Sequence, residues 1–372
     1  MPGGANGIGC SVMKSIFSRR NRLMAVTVLF LTAIFILPVE AGTIKVATYN
    51  VDNLFDAVAD GTEYPDYDPR GPFGWGRKMA DIKTANIARV LTALKADIVC
   101  LQEVESRRAL DLLLGALRRN GLDYPFSTLA DQADTAVRCA VISTCPIIEK
   151  REVSPGHGMR NILQVTVRAD RYPLVLFVNH WKSKQGPESL RLLYARALKA
   201  AVSRLKPGMD YIIAGDFNAD YNEYVTFQHN PRLNDTGGRT GINHILGTVT
   251  DDRLVMEKDI RRAHRSGQHY NLWLELPPGR RWSYNFFGRK SSLDSIILPA
   301  ALYDDKGISY IDNSFDRFVP DFLFNRNGAV FRWQQADHGR GRHLGRGYSD
   351  HLPIFALFAT ETPSPPSNQR EK

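Results

Sequence analysis

Ile213-Ala214-Gly215-Asp216-Phe217-Asn218 begins apolar and ends polar. With Tyr211 and Ile212 before it, the stretch has the form of a short buried strand that delivers a carboxylate and an amide at its end. Strand ends are where a rigid scaffold holds reactive groups. Four other segments end in the same way: Tyr49-Asn50, Gln102-Glu103, Asn179-His180 and Ser349-Asp350-His351. Singly, none is diagnostic. A carboxylate after a strand is commonly a solvated turn residue, Gly-Asp-Phe-Asn also suits a turn, and a lone His is more often structural than catalytic.

Outward from these segments, strands and helices interleave. Apolar runs predict strands at 43–49, 98–101, 139–143, 163–168, 174–179, 211–214, 282–287, 295–298 and 353–358. Helical spacing runs over 82–94, 109–117 and 190–205, and residues 57–78, with Gly, Pro, Asp and Trp, read as a long surface loop. Many strands without a helix between every pair argue for sheets packed face to face with helices outside. No linker divides 42–360, so one catalytic domain is expected there.

Composition agrees with a folded body. Hydrophobic residues make up 43% and charged residues 23%, which excludes a mainly disordered chain. The net charge of +9 favours polyanionic partners such as nucleic acid or an anionic membrane surface. Lys14, Arg19, Arg20 and Arg22 precede an apolar run at 23–37, and Val39 and Ala41 suit a signal-peptidase site. Residues 1–41 are therefore expected to be a signal peptide or, alternatively, a membrane anchor through 23–37. Either places the catalytic part outside the cytoplasm, secreted, periplasmic or membrane-held. Residues 361–372, rich in Pro, Ser and charge, read as a disordered tail. Of the four cysteines, no pair has zinc-ligand spacing; Cys139 and Cys145 are a candidate disulfide if the chain is exported.

Asn50, Glu103, His180, Asp216, Asn218, Asp294, Asp350 and His351, in this order, resemble the endonuclease/exonuclease/phosphatase superfamily, of which deoxyribonuclease I is the type. The most specific segments are 213–218 and Ser349-Asp350-His351-Leu352-Pro353, with Leu101-Gln102-Glu103 beside them. Asn179-His180-Trp181-Lys182-Ser183-Lys184, followed by Arg191, is similar to bacterial secreted nucleases. The resemblance implies a four-layered α/β/β/α sandwich of two mixed sheets. It also implies phosphodiester hydrolysis with magnesium or manganese, calcium being a further option.

In that reading Glu103 is the chief metal ligand, helped by Asn50 and Asp350, since hard cations want oxygen donors. Asp216 and Asn218 orient the attacking water and bind phosphate oxygens. His351 is the general base, held by Asp294. His180 gives a proton to the leaving oxygen or binds the phosphate, with Asp134 the nearest candidate for its acidic partner. Arg160, Lys184 and Asn218 contact substrate phosphate, with Lys182 and Arg191 as further cations of the track. Arg332, Arg340, Arg342 and Arg346 crowd the stretch before Asp350, where Trp333 and Tyr348 are candidates to stack a base.

The substrate expected is nucleic acid, DNA before RNA, cut endonucleolytically. Ser292-Leu293-Asp294-Ser295 replaces the Trp-Cys-Asp-Arg segment of inositol polyphosphate 5-phosphatases and argues against that branch. A sphingomyelinase-like lipid phosphodiesterase is the alternative; it needs an exposed apolar hairpin, for which Phe286-Phe287 and Phe322-Leu323-Phe324 are candidates, although core strand suits both better. A non-enzymatic binding protein that retains the fold is the third, and the complete polar set speaks against it.

Overall fold

The structure, a computed structural model, describes residues 42–132, 134–262, 267–286 and 288–360. The expectations for the leader and the tail lie outside the described residues. In the first sheet β1 (Thr43–Leu54) lies parallel to β2 (Ile98–Val104), joined through helix α1 (Arg77–Leu94), because parallel neighbours need a long crossover. β4 (Arg138–Ser143) and then β3 (Phe126–Leu129) extend from β2; β17 (Ile354–Thr360) extends from β1 and pairs with β15 (Ile308–Tyr310) and β16 (Asp316–Arg317). The second sheet repeats the plan. β7 (Tyr172–His180) lies parallel to β8 (Tyr211–Asp216) through α3 (Glu188–Val202). β6 (Ile162–Ala169) and β5 (Ile147–Val153) extend from β7, and β14 (Asp294–Leu298) and β11 (Tyr270–Asn271) from β8. Two ribbons stand apart, β9 (Val249–Thr250) with β10 (Arg253–Leu254), and β12 (Tyr284–Phe286) with β13 (Arg289–Ser291).

Side-chain parity shows the layering, since successive residues of a strand face opposite ways. Val46, Ile98 and Cys100 share one core with Leu176, Val178, Ile212 and Ile296 of the other sheet. Their neighbours Ala47, Val99 and Leu101 pack against α1 and α2 (Arg107–Arg119), and Phe177, Ile213 and Ile297 against α3. The result is four layers, helix, sheet, sheet, helix, as expected. Strands so placed are buried on both faces, which is why they read as unbroken apolar runs.

Three expectations are corrected. The 57–78 segment packs: Tyr67 and Trp75 are buried with Phe55 and Trp333 in a small aromatic core. The strand expected at 282–287 is found at Tyr284–Phe286, in a ribbon outside both sheets. Cys139 and Cys145 are both free, Cys139 facing the core between the sheets.

Candidate active site

The rows that build the core between the sheets turn polar at one edge. On β1 the inward row runs Ile44, Val46, Thr48, Asn50; on β7, Leu174, Leu176, Val178, His180; on β8, Ile212, Ala214, Asp216. β14 runs the other way and begins with Asp294, directly opposite Asp216, which is itself opposite His180. β17 is also antiparallel to its neighbour, so the segment before it brings His351 to the same edge. Parity and strand direction thus converge five polar side chains on one place.

Irregular backbone adds the rest. The β1–β2 register slips between Asn50 and Leu54, and such bulges re-aim side chains. Asp52, Asn53, Glu103 and Asn218 all take positive φ, from 49° to 65°, a conformation that non-glycine residues keep only where the surroundings impose it. The bulge turns the Asn53 N–H onto Glu103 Oε2 (2.9 Å), and Asn50 Nδ2 donates to Glu103 Oε1 and Asp216 Oδ2, both at 3.1 Å. Asn50 Oδ1 accepts from the Asp52 N–H. At Gly215, φ is 135° and a Cβ would stand 2.1 Å from the Asn179 carbonyl, so only glycine lets β7 and β8 close up beneath His180 and Asp216.

The two histidines face different surroundings. His351 Nδ1 lies 2.7 Å from Asp294 Oδ2, which also accepts from Ser283 Oγ at 2.6 Å. Burial opposes a charge on His351, but Asp294 outweighs it, with help from Asp350 and Asp216, and the ring is held well above the usual histidine range. Its Nε2 points inward, 4.0 Å from Asp216 Oδ2 and 3.9 Å from Asp350 Oδ1. His180 is pushed well down by burial and then by Arg160 and His351. Its Nε2 lies 3.5 Å from Glu103 Oε1 and 3.8 Å from Asp216 Oδ2, while Nδ1 is buried without a partner among the described residues. The exposed Asp134 is therefore not its acidic partner.

The carboxylates carry an excess of negative charge. Burial and then Asp52 raise both Glu103 and Asp350, the latter to about 7; burial and the neighbouring Asp294 raise Asp216 to about 7 against the pull of His351. Oxygen donors on Asp52, Glu103 and Asp350 come from separate segments and repel one another. That donor set fits a hard divalent cation, which would relieve the repulsion. Asp216, Asp294 and His351 also lie close enough to share an ion, but the 2.7 Å contact between Asp294 and His351 leaves no room for one between them.

The expected phosphate contacts divide. Asn218 Nδ2 donates to the Trp181 carbonyl and to Asp216, at the centre of the site. Arg160 donates to the carbonyls of His180 and Trp181 at 3.3 and 3.0 Å and so braces the end of β7. Lys184 Nζ lies 2.9 Å from Asp220 and 2.8 Å from Glu223, so its charge is already balanced. Arg191 is fully buried against Glu188 and donates to the carbonyls of Lys182, Ser183 and Gly186, which makes it a clamp on that loop and not part of a phosphate track. Trp333 and Tyr348 are buried in the protein core, so neither is a surface for stacking a base.

Lys83 was not expected. Its Nζ is wholly buried, donates to the Tyr348 carbonyl at 2.9 Å and lies 3.7 Å from Asp52; burial lowers its pKa although Asp52 opposes that. The signal was a lysine on the apolar stripe of α1, in step with Ala80, Ile87, Leu91 and Leu94. Ser283 and Tyr284 were also missed. Tyr284 forms a backbone bridge to His351, with ring centroids 4.8 Å apart.

A family model described as endonuclease/exonuclease/phosphatase family matches residues 45–360. The chain belongs to the endonuclease/exonuclease/phosphatase family. Members of this family are metal-dependent phosphoester hydrolases. Solved structures share the fold at low identity. A humanized D. rerio TDP2 is 14% identical, with a TM-score of 0.51 over 86% of this chain and 99% of that one. D. rerio TDP2 complexed with a single-strand DNA product is 15% identical, with a TM-score of 0.50 over 86% and 100%. ANGEL2, described as a 2′,3′-cyclic phosphatase, is 13% identical, with a TM-score of 0.51 over 87% and 98%. No curated protein matches the chain.

Proposed function

We propose that this member of the family is a divalent-metal-dependent phosphodiesterase acting on nucleic acid, a DNA endonuclease working outside the cytoplasm. The observation that carries the reading is the convergence of the Asp294–His351 pair, His180, Asp216 and Asn218 on the edge where Glu103 and Asp350 gather. Asp294 fixes the ring and tautomer of His351, and in the deprotonated ring, populated as pH rises through its raised pKa, Nε2 is free to take a proton from the attacking water. Asp216 and Asn218, locked to each other through the Asn218 N–H (2.8 Å), orient that water and a phosphate oxygen. His180, neutral and with Nδ1 unpartnered among the described residues, donates a hydrogen bond to the phosphate or, once protonated, gives its proton to the leaving oxygen. Glu103 and Asp350, with Asn50 and Asp52 beside them, would hold the magnesium or manganese ion, which would supply positive charge beside the scissile phosphate. The net charge of +9 and the D. rerio TDP2 complex with single-strand DNA support a nucleic-acid substrate. Export rests on the leader sequence alone.

The test is cleavage of supercoiled plasmid, single-stranded RNA and sphingomyelin vesicles, each with magnesium, manganese or chelator. Metal-dependent nicking of plasmid, lost in His351→Ala, is expected, and binding should weaken steeply with salt through counterion release. Choline-phosphate release without cleavage of either nucleic acid would move the enzyme to the lipid branch, for which the 47% exposed Phe286 near the site would then be the membrane-facing residue.

A further inference from the structure

A cavity of about 460 Å³ opens beside the catalytic residues, between the segment around 223–233 and the β12–β13 ribbon. Asn218 and Lys184 line it on the catalytic side, Tyr284 and Phe286 along the ribbon, and Arg232 and Arg289 are exposed cations among its lining. Strand alternation puts Tyr284 and Phe286 on this face of the ribbon, while Asn285 lines a separate cleft with Arg332. The Tyr284 and Phe286 rings lie nearly parallel, 8° apart with centroids at 6.2 Å, and Tyr284 also touches the His351 ring. The cavity therefore joins the reacting centre to an aromatic wall. Its volume falls in the range of pockets that enclose a small ligand, about 300–1,000 Å³. Its cations are not equal. Lys184 is matched by Asp220 and Glu223, whereas neither Arg232 nor Arg289 forms an ion pair among the described residues.

An aromatic face, an amide at the phosphate position and two uncommitted guanidinium groups are together the chemistry that holds a nucleoside phosphate: the base stacks and the phosphates pair with arginine. We propose that this cavity is the subsite for the nucleoside adjoining the scissile phosphate, and that the enzyme therefore prefers single-stranded or locally unpaired nucleic acid. A base inside a duplex has both faces covered by its neighbours and its pairing edge occupied, so it reaches an aromatic wall only by leaving the stack. The inference rests on the nuclease reading of the site.

The experiment offers the full-length protein, with manganese, one DNA sequence in three forms: single strand, blunt duplex, and duplex with one unpaired nucleotide. Bis(p-nitrophenyl) phosphate, which carries no nucleoside, runs beside them. Single strand and bulged duplex should be cut with kcat/KM at least tenfold above the blunt duplex. Phe286→Ala and Arg232→Ala, both exposed positions where folding should survive, should each raise KM on the single strand about tenfold, relative to any change on the small diester. Equal rates on single strand and duplex, with KM unmoved in both variants, would overturn the subsite. Hydrolysis of the small diester with no cleavage of any DNA would overturn the nuclease reading and the subsite with it, while silence on every substrate would overturn phosphodiesterase activity itself.

Discussion

Asp294→Asn removes one charge from a fully buried position while keeping its size. In the native site Asp294 Oδ2 accepts from both His351 Nδ1 and Ser283 Oγ. An asparagine oxygen can keep both bonds, so the variant isolates the charge. That charge is the largest influence holding His351 up, against burial that pushes it down. An opposite charge at contact distance is worth about 1–3 pKa units, or about 1.4–4 kcal/mol between the two protonation states. Without it, burial faces only the weaker pull of Asp350 and Asp216, and His351 should fall by at least a unit. The direct assay follows the His351 Hε1 resonance against pH in metal-free protein. Turnover should drop about 10²–10⁴-fold, as when a base loses the charge that stabilises its protonated form. Stability gives an independent sign. The native His351 is raised above its unfolded value, so its contribution is complete below about pH 6.5 and is lost as pH rises through the folded pKa. The stability gap between native protein and variant should therefore narrow as pH rises. An unshifted Hε1 titration in a folded variant would refute the coupling, whatever happened to turnover.

Arg191→Met strands the Glu188 carboxylate and three loop carbonyls, and breaking a buried pair costs about 3–5 kcal/mol; for a body of this size that lowers Tm by about 5–7 °C, and calorimetry showing no loss would overturn the clamp role. Glu103→Gln should cut turnover at least a hundredfold and weaken manganese binding seen by calorimetry; native affinity would remove Glu103 from the metal site. Because Asp350 is raised to about 7, and carboxylates coordinate only when deprotonated, metal affinity should climb from pH 6 to 8 with proton release, read as a dependence of binding heat on buffer ionisation enthalpy. Gly347→Ala would put a Cβ 1.9 Å from the Arg332 carbonyl at φ 95°, so insoluble or strongly destabilised protein is expected and a native melting curve would contradict the geometry.

The sandwich and the catalytic row were legible because these strands are buried on both faces. In an unbroken apolar run, a polar residue at the end stands out, and Asn50, His180 and Asp216 do so. Glu103 was legible as a strand end, but its aim was not: it breaks inward parity and depends on positive φ and on the slip in β1. Sequence also could not separate cations by their partners. Arg191 and Lys184 read as cations of a phosphate track, yet each is met by carboxylates brought near by folding, Glu188 for the first and Asp220 and Glu223 for the second. Trp333 and Tyr348 failed as stacking residues for a related reason. The loop that carries them looked open because it is rich in glycine and arginine, but Trp333 joins Phe55, Tyr67 and Trp75 in a core that the 57–78 segment builds.

The two sheets explain why the site is divided as it is. Each holds one parallel pair joined through a helix, and each pair ends at the same edge. The first pair brings Asn50, Asp52 and Glu103, a set rich in anionic oxygen. The second brings His180, Asp216 and Asn218, suited to a proton and a phosphate oxygen. The antiparallel strands beside them, β17 and β14, return His351 and Asp294 to the seam, one from each sheet. The Asp294–His351 hydrogen bond therefore spans the sandwich, so its 2.7 Å length depends on how the two sheets pack. A core substitution that shifts one sheet against the other, such as Val178→Ala between them, should cost turnover out of proportion to its cost in stability. The opposite outcome, turnover untouched while stability falls by the about 0.5–3 kcal/mol usual for core truncation, would mean that the pair is held locally by Ser283 and not by the packing of the sheets.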